Sequence, residues 1–396
     1  MGRHKQLLAK SRSSHGGVDK TRIYNSYKIL KGFTHQSNAF FPFKSRSSLL
    51  RYNTTMHLLS LSLQHFRNYT KHTFAFSPKV TLLVGENAKG KTNVLEAIAL
   101  LSTGESFRAD KIEEMVQWGK EVGRVKGKID SEIELEVVLT TGMVQGERVQ
   151  KRKYLLDGAG KHKKDLVGHL VTVVFRPEDL DLISGSPSLR RKFFDTVLTQ
   201  IDQEYRDARD AYEKALQRRN ALLDVLREGN TTRATFTFWD QLLIKHGNTL
   251  TDKRQKFCDF LNARVEFPME FHITYDPSTI SEHRLHQYAV EEVAAGHTLI
   301  GPHKDDWFLT LENGQKKEIS AYGSRGEQRM GVLWLKIGEL DYVEYVLQER
   351  PILLLDDIFS ELDEDHRNMV EKVVKKQQTI MTATETRGAR GEVVMV

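Results

Sequence analysis

The chain is poor in cysteine and in long apolar runs. Cys258 is the only cysteine among 396 residues, so an internal disulfide is excluded and a reducing compartment is expected. No run approaches the roughly 18 apolar residues of a membrane-spanning helix, so we expect a cytoplasmic protein with no membrane partner. No cysteine or histidine spacing indicates a metal site, and His246 and His303 are expected to pack or to face solvent. No serine, histidine and aspartate set indicates a nucleophilic triad.

The net charge of +6 is unevenly distributed. Residues 1–55 hold eleven lysines and arginines against one acidic residue, whereas residues 56–396 hold 48 basic and 52 acidic residues. Bulk charge therefore gives the main body no preference for nucleic acid, and any such contact must use a local patch.

The basic segment 1–55 is rich in serine and arginine and shows little periodicity. Its composition fits a transit peptide, a disordered basic arm, or the product of an early start codon. The last interpretation is favoured because Met56 begins a plausible first strand. We expect residues 1–55 to be a basic, disordered extension.

A glycine-rich loop follows an apolar, β-branched run at residues 80–84 that predicts a buried strand. The loop residues are Gly85, Glu86, Asn87, Ala88, Lys89, Gly90, Lys91 and Thr92. Glycines let backbone N–H groups converge on a phosphate, and the helix predicted after the loop adds the positive end of its dipole. The pattern is that of a P-loop, in which Lys91 would reach the β- and γ-phosphates and Thr92 would ligate Mg²⁺.

A second apolar strand, predicted at residues 352–355, ends at Asp356 and Asp357. Ligands gather at the carboxyl ends of strands in such sheets. We expect Asp356 to hold Mg²⁺ through water, facing Thr92, and Asp357 to polarise the attacking water as the catalytic residue. Taken without the P-loop, the same residues would also fit a solvated turn at a strand end.

A third motif, at residues 324–328, opens a helical run and precedes the acidic strand. Ser324, Gly326 and Gln328 are candidates to bind a γ-phosphate with the N–H groups of this helix start. An ordinary loop is the alternative for this motif in isolation. Because the motif lies far along the chain from Thr92, a partner subunit is the natural owner of that phosphate. We therefore expect two copies of the protein to close each nucleotide site.

The motifs together resemble the ABC-type ATPase heads of the SMC and RecF group, and in finer detail the RecF family. The segments that carry the resemblance, between Met56 and Thr384, are residues 63–69, 85–103, 175–179, 185–195, 301–306 and 356–363. The last of these resembles a Walker B strand end followed by a D-loop. The expected fold class is α/β: an ABC-type P-loop ATPase head with a mixed sheet and an inserted α-helical lobe, packed as an antiparallel coiled coil.

The resemblance also implies a function. RecF-like proteins bind ATP and DNA, form ATP-dependent homodimers and hydrolyse ATP slowly. With RecO and RecR they place RecA on gapped DNA, in replication and recombinational repair. Carried over, the resemblance assigns ATP binding to Gly85–Thr92, Mg²⁺ support to Asp356, hydrolysis to Asp357, and action across the dimer to Ser324–Gln328.

The sequence departs from the family in three places. Asp357 stands where many ABC heads have glutamate, and its shorter side chain suggests slow turnover. No histidine occupies the switch position expected near Thr384. The family usually carries another strand after that point, whereas the end of this chain is short.

The pattern after residue 55 predicts three segments. Residues 56–180 form the first part of the ATPase head, residues 181–268 a helical lobe, and residues 269–396 the second part of the head with the remaining motifs. The sheet is thus split in the sequence and rejoined in space. Within the lobe, apolar spacing predicts one helix of about 40 residues, ~60 Å long, that ends at Gly229. A second helix, about Phe238–Val265, is predicted to pack antiparallel to it.

One basic hairpin is the best candidate for contact with DNA. Its cations are Arg148, Lys151, Arg152, Lys153, Lys161, Lys163 and Lys164. Asp157 and Gly158 predict the turn, which would bring two basic strand ends together. The alternative is an edge hairpin whose lysines deter aggregation.

Two other functions are compatible with an ABC-type head. A structural tether of SMC type would need an insertion of hundreds of residues, and this one is far shorter. The ATPase subunit of a transporter would need a coupling surface for membrane helices, and the coil and the RecF-like segments argue against it.

Overall fold

The helix that follows the P-loop lies between two β-sheets.

The computed structural model describes residues 56–130, 133–263, 267–312, 314, 316–361, 364–384 and 391–396. The predicted extension 1–55 and residues 362–363 of the D-loop-like segment lie outside the described residues.

The strands are β1 (Leu58–Phe66), β2 (Tyr69–Ala75), β3 (Val80–Val84), β4 (Val122–Ile129), β5 (Ile133–Thr140), β6 (Met143–Val144), β7 (Glu147–Arg148), β8 (Arg152–Leu156), β9 (Ala159–Lys161), β10 (Thr172–Phe175), β11 (Glu270–Asp276), β12 (Asp306–Glu312), β13 (Lys316–Glu318), β14 (Ile352–Leu355), β15 (Thr379–Ala383) and β16 (Glu392–Met395). The α-helices are α1 (Lys91–Thr103), α2 (Lys163–Leu166), α3 (Asp181–Ser184), α4 (Pro187–Ile201), α5 (Gln203–Arg227), α6 (Thr237–Asn262), α7 (Glu282–Gln287), α8 (Ala289–Ala295), α9 (Ile319–Tyr322), α10 (Arg325–Leu347), α11 (Ile358–Glu361) and α12 (Glu364–Val374).

A parallel five-stranded sheet joins the two ends of the sequence. Its order is β10, β14, β15, β3, β16, and every neighbouring pair runs parallel. The strand before the P-loop therefore lies two places from the strand that ends in Asp356, with β15 between them. The prediction of a sheet split in sequence and rejoined in space is confirmed, and the end of the chain supplies an edge strand, β16, that pairs with β3.

A second, antiparallel sheet has six strands in the order β2, β1, β4, β5, β8, β9. Asp157 and Gly158 both have positive φ, 51° and 77°, as the turn predicted between β8 and β9 requires. Helix α1 contacts this sheet on one side and the parallel sheet on the other. Ten of its thirteen residues are buried, so its pattern is that of a core helix rather than of a surface helix.

The predicted helix of about 40 residues is wrong, because two helices occupy its place. Helix α4 ends at Ile201 and α5 begins at Gln203, with Asp202 in an extended conformation between them. The Asp202 carboxylate accepts a hydrogen bond from the backbone N–H of Tyr205, so the residue caps α5 and breaks the run.

The predicted antiparallel pairing holds for α5 and α6. Arg219, late in α5, pairs with Asp240, early in α6, at 2.6 Å. Asp202, at the start of α5, pairs with Lys253, late in α6, at 2.7 Å. Within the described residues, no helix is long and apolar enough to cross a membrane.

Candidate nucleotide site

The P-loop connects β3 to α1 through two left-handed residues. Ala88 has φ 66° and Gly90 has φ 112°. A Cβ atom at Gly90 would lie 2.6 Å from the Asn68 amide nitrogen, so the position excludes any side chain. Asn68 donates to the carbonyl of Lys89 at 2.7 Å and accepts from the side chain of Asn93 at 2.8 Å. The turn between β1 and β2 thus braces the loop from outside.

Lys91 is buried at the centre of the loop. Its ammonium group donates to the carbonyl of Gly85 at 2.7 Å and to the carbonyl of Glu86 at 2.9 Å. The two loop carbonyls hold the ammonium group beside the cavity. An anion in the cavity would compete with these carbonyls for the ammonium group.

Three oxygen-bearing side chains meet where the strands end. The hydroxyl groups of Thr92 and Thr382 each donate to the same carboxylate oxygen of Asp356 at 3.0 Å. Asp356 is nearly buried, and burial raises its pKa, while the hydrogen bonds from Thr382 and Thr92 act in the opposite direction. The predicted juxtaposition of Thr92 and Asp356 is therefore present.

Asp357 stands beside this cluster in an unusual backbone conformation. Its φ is 50°, a region that aspartate tolerates better than most residues. Its backbone N–H donates to the Thr382 hydroxyl at 2.9 Å, and its side chain is exposed toward the cavity. The Asp357 carboxylate therefore lies at the cavity wall.

A cavity of about 410 Å³ lies over these groups, which is within the usual size of a small-molecule site. The lining residues are Asn87, Ala88, Gly90, Lys91, Thr92, Asn93, Phe107, Arg108, Arg176, Glu178, Asp356, Asp357 and Thr382. Of the predicted loop residues, Gly85, Glu86 and Lys89 do not line this cavity.

Two guanidinium groups add positive charge to the cavity. Arg108 donates to the Asn93 side chain at 3.1 Å. Arg176 stacks over the Phe107 ring at 4.6 Å and pairs with Asp179 at 3.3 Å. An anion entering the cavity would therefore meet Lys91, Arg108 and Arg176.

The motif at residues 324–328 does not line this cavity in the described part of the chain. Ser324 caps α10, accepting from the N–H of Glu327 at 3.3 Å, while the Glu327 carboxylate accepts from the Ser324 N–H at 2.7 Å. Ser324 and Gly326 are exposed. Gln328 was expected to bind a γ-phosphate across the dimer. It is instead buried, and its amide donates to the carbonyl of Ile319 at 3.0 Å.

Four residues of the site carried no role in the sequence analysis: Asn68, Arg108, Arg176 and Thr382. Asn68 and Arg176 lie within RecF-like segments, and that was the only available signal for them. Thr382 becomes visible only when β15 is known to lie between the P-loop strand and the acidic strand.

The basic hairpin proposed for DNA is largely engaged in the structure. Lys151 pairs with Glu113, Lys163 with Glu105, and Lys164 with Asp207. Arg152 donates to the carbonyl of Gly104 at 3.2 Å. Lys151, Arg152, Lys163 and Lys164 thus face acidic groups or the backbone, whereas Arg148, Lys153 and Lys161 are exposed and have no such partner among the described residues.

Comparison with known families supports the resemblance drawn from the motifs. Residues 57–389 match the family model described as the RecF/RecN/SMC N terminal domain. A DNA replication and repair protein RecF of Cyanothece sp. is 35% identical over 359 residues, covering 83% of this chain and 92% of that protein. One from Oceanobacillus iheyensis is 32% identical over 365 residues, covering 85% and 96%.

Solved structures agree with this assignment. The "recombination mediator protein RecF-ATP in RecFOR pathway" superposes with a TM-score of 0.77 at 28% identity, covering 86% of this chain and 97% of that one. Its counterpart described as RecF-ATPrS gives a TM-score of 0.76 at 29% identity. The expected fold class, an α/β ABC-type ATPase head, is confirmed. The chain belongs to the RecF/RecN/SMC family and, within it, to the RecF group of DNA replication and repair proteins.

Proposed function

We propose that this chain is an ATP-dependent DNA-binding protein of recombinational repair and replication, with a slow ATPase activity. The observation that carries the proposal is the hydrogen bond between Thr92 and Asp356 at the mouth of a cavity that Lys91 also lines. A structure of the related recombination mediator protein RecF-ATP supports ATP as the nucleotide.

The residues of the cavity fit a magnesium nucleotide. ATP with Mg²⁺ would supply the labile phosphoanhydride bond and a cation that neutralises its charge. The P-loop N–H groups, the Lys91 ammonium and the start of α1 would bind phosphates. The Thr92 hydroxyl would ligate Mg²⁺, and the Asp356 carboxylate, which accepts a hydrogen bond from Thr92 at 3.0 Å, would support the ion through water. Asp357 would orient and polarise the attacking water, and its short side chain suits slow turnover.

A second copy would complete each site. Ser324 and Gly326 are exposed at the N-terminus of α10 and lie outside the cavity of their own chain in the described residues. Tyr322, 75% exposed, stands two residues before Ser324 and is a large contact residue for a partner surface. The proposed assembly is an ATP-dependent homodimer in which each Ser324 segment caps the partner's phosphates.

Partners are carried over from the family. We propose that the dimer binds gapped DNA, with its single- and double-stranded parts, and that it acts with RecO and RecR, in the cytoplasm, to place RecA. We also propose the division into a first head segment 56–180, a helical lobe 181–268 and a second head segment 269–396. The parallel sheet takes β3 and β10 from the first head segment and β14, β15 and β16 from the second, so the two head segments depend on one another.

The test of the nucleotide site is Lys91→Met. The variant should lose most of its affinity for ATP, because the buried cation at the loop centre is removed while the fold keeps its other contacts. Equilibrium binding of a fluorescent ATP analogue measures the effect. Lys79→Met, an exposed lysine before β3, is the matched control and should bind like the wild type. Undiminished affinity in Lys91→Met would remove the P-loop from the site.

A further inference from the structure

Trp118 is unusual among the large apolar side chains of the described residues because it is 99% exposed. The protein has four tryptophans. Trp307 and Trp334 are fully buried, and Trp239 is half-buried against the core. An exposed tryptophan lacks the stabilisation that burial gives the other three. A contact with a binding partner would explain why Trp118 is exposed.

The turn that carries Trp118 is firmly held. The backbone N–H of Gln117 donates to the carbonyl of His65 at 2.8 Å, and the N–H of Lys120 donates back to the carbonyl of Gln117 at 2.9 Å. The Gln117 side chain bonds to the His65 ring at 3.0 Å and to the Thr70 hydroxyl at 3.1 Å. Gly119 has φ 77° and closes the turn. The indole is therefore presented on a rigid support, with little entropy to lose on binding.

The turn is attached to the end of the six-stranded sheet, next to a basic face. The register places Lys71, Gln64, Arg124, Val138 and Lys153 in one row across five strands. From the first to the last strand this row spans about 19 Å, at ~4.8 Å per strand. Lys71, Arg124 and Lys153 are exposed, and Lys71 follows directly on Thr70, which holds the Trp118 turn.

The face of the six-stranded sheet that carries this row, here called the open face, has an excess of positive charge. Its strands present five cations, Lys71, Arg124, Lys126, Lys128 and Lys153, against the carboxylates of Glu134 and Glu136. Arg124 pairs with Glu136 at 2.7 Å and Lys126 with Glu134 at 2.8 Å. Among the described residues, Lys71, Lys128 and Lys153 form no ion pair.

We propose that Trp118 and the row Lys71, Arg124 and Lys153 form a nucleic-acid contact in which Trp118 stacks on an unpaired base while the row binds phosphates. A protein hot spot would need apolar neighbours that exclude water, whereas Trp118 is 99% exposed and its turn contains Lys120 and is bonded to Thr70, next to Lys71. A single rigid aromatic ring beside cations is the arrangement by which proteins bind single-stranded nucleic acid. This inference rests on the proposed DNA function and adds to it the surface and the unpaired base.

The test compares two DNA probes with three variants. The probes are a fluorescein-labelled duplex with a single-stranded gap and the same duplex without the gap. Trp118→Ala should weaken binding to the gapped probe about tenfold, the loss of one stacked base, and should change binding to the intact duplex far less. Trp118→Phe should recover most of the affinity. Phe238→Ala, at another exposed aromatic residue, is the control and should bind both probes like the wild type.

Fluorescence gives a second readout that does not depend on affinity. The gapped probe should quench the wild-type emission of the exposed indole, and this quenching should vanish in Trp118→Ala, whose thermal unfolding is expected to match the wild type. Equal binding of both probes by Trp118→Ala and the wild type would overturn the inference. So would a Trp118→Ala variant that binds DNA normally and loses a protein partner instead. Failure of the wild type to bind either probe would instead contradict the proposed function.

Discussion

Thr382 connects the two acidic residues of the site through one hydroxyl group. It donates to the Asp356 carboxylate and accepts from the Asp357 N–H, so it fixes both at the end of β14. The P-loop, Asp356 and Asp357 could be predicted because each is marked by its own neighbours in the sequence. Thr382 and Asn68 could not, because their roles depend on which strand or turn lies beside the loop.

Asp357→Asn tests the catalytic role proposed for Asp357. Asparagine has the same size and also tolerates positive φ, so the backbone and ATP binding should be kept. Loss of the carboxylate should slow ATP hydrolysis by about 10²-fold or more, the lower end of the ~10²–10⁴ range of acid–base catalysis. Phosphate release under single-turnover conditions measures this rate. Turnover at the wild-type rate would assign the base to another group, of which Glu178 in the cavity wall is the next candidate.

His303 should make the fold sensitive to acid. Its ring accepts from the Tyr212 hydroxyl at 2.7 Å and donates to the carbonyl of Thr298 at 3.0 Å, so it is held neutral. Burial lowers its pKa from 6.5 to about 4, with a smaller contribution from nearby cations. Between these values the unfolded chain binds a proton that the folded chain does not, so this contribution to stability is complete above pH 6.5 and falls as the pH drops.

The measurement is urea unfolding of the wild type and His303→Gln at pH 7.5 and pH 5. From pH 7.5 to pH 5 the free energy of unfolding of the wild type should fall by about 2 kcal/mol more than that of the variant. His72→Gln, at an exposed histidine, is the control and should behave like the wild type. An identical pH dependence in wild type and His303→Gln would show that His303 is not held neutral in the fold.

At the scale of elements, periodicity predicted the right helices with one wrong connection. The apolar spacing continues across Asp202, since Val197 and Ile201 before it and Tyr205 after it are all buried in the same core. A helical pattern does not reveal that a single aspartate turns out of the helix to cap the next one. Pairing of distant strands, such as β3 with β15, is likewise invisible to local patterns. The motifs predicted that the sheet is split in the sequence, but not that β15 lies between β3 and β14.

A buried arginine joins α6 to α4 and to the loop before β12. Arg254 is only 4% exposed and pairs with Asp305 and with Asp195 at 2.8 Å each. Its side chain also donates to the Tyr205 hydroxyl at 3.0 Å. Burial raises the pKa of Asp305, and the Arg254 charge is the main opposing influence.

Arg254→Met should therefore lower the free energy of unfolding by about 3–5 kcal/mol, because the fully buried Asp305 loses its partner. Adding Asp305→Asn should recover a part of the lost free energy of unfolding, because the uncompensated charge is removed. Thermal or urea unfolding of both single variants and the double variant measures the coupling free energy between Arg254 and Asp305. Simple additivity of the two changes would show that the pair acts independently.

At the scale of the whole molecule, the central claim is that one chain holds only half of each nucleotide site. The Thr92, Asp356 and Lys91 side chains line the cavity, while the exposed Ser324 lies elsewhere on the same chain. Two copies related by a twofold axis would place each Ser324 segment on the partner's cavity, and both sites would close together.

Mixing two inactive variants tests this claim directly. Lys91→Met removes the phosphate lysine, and Ser324→Arg fills the cap with a bulky charge while leaving the cavity residues intact. In an equal mixture, half of the dimers pair one variant with the other and contain one complete site, so ATP hydrolysis should return to about a quarter of the wild-type rate. A mixture as inactive as each variant alone, or full activity in Ser324→Arg by itself, would contradict a site shared between two copies.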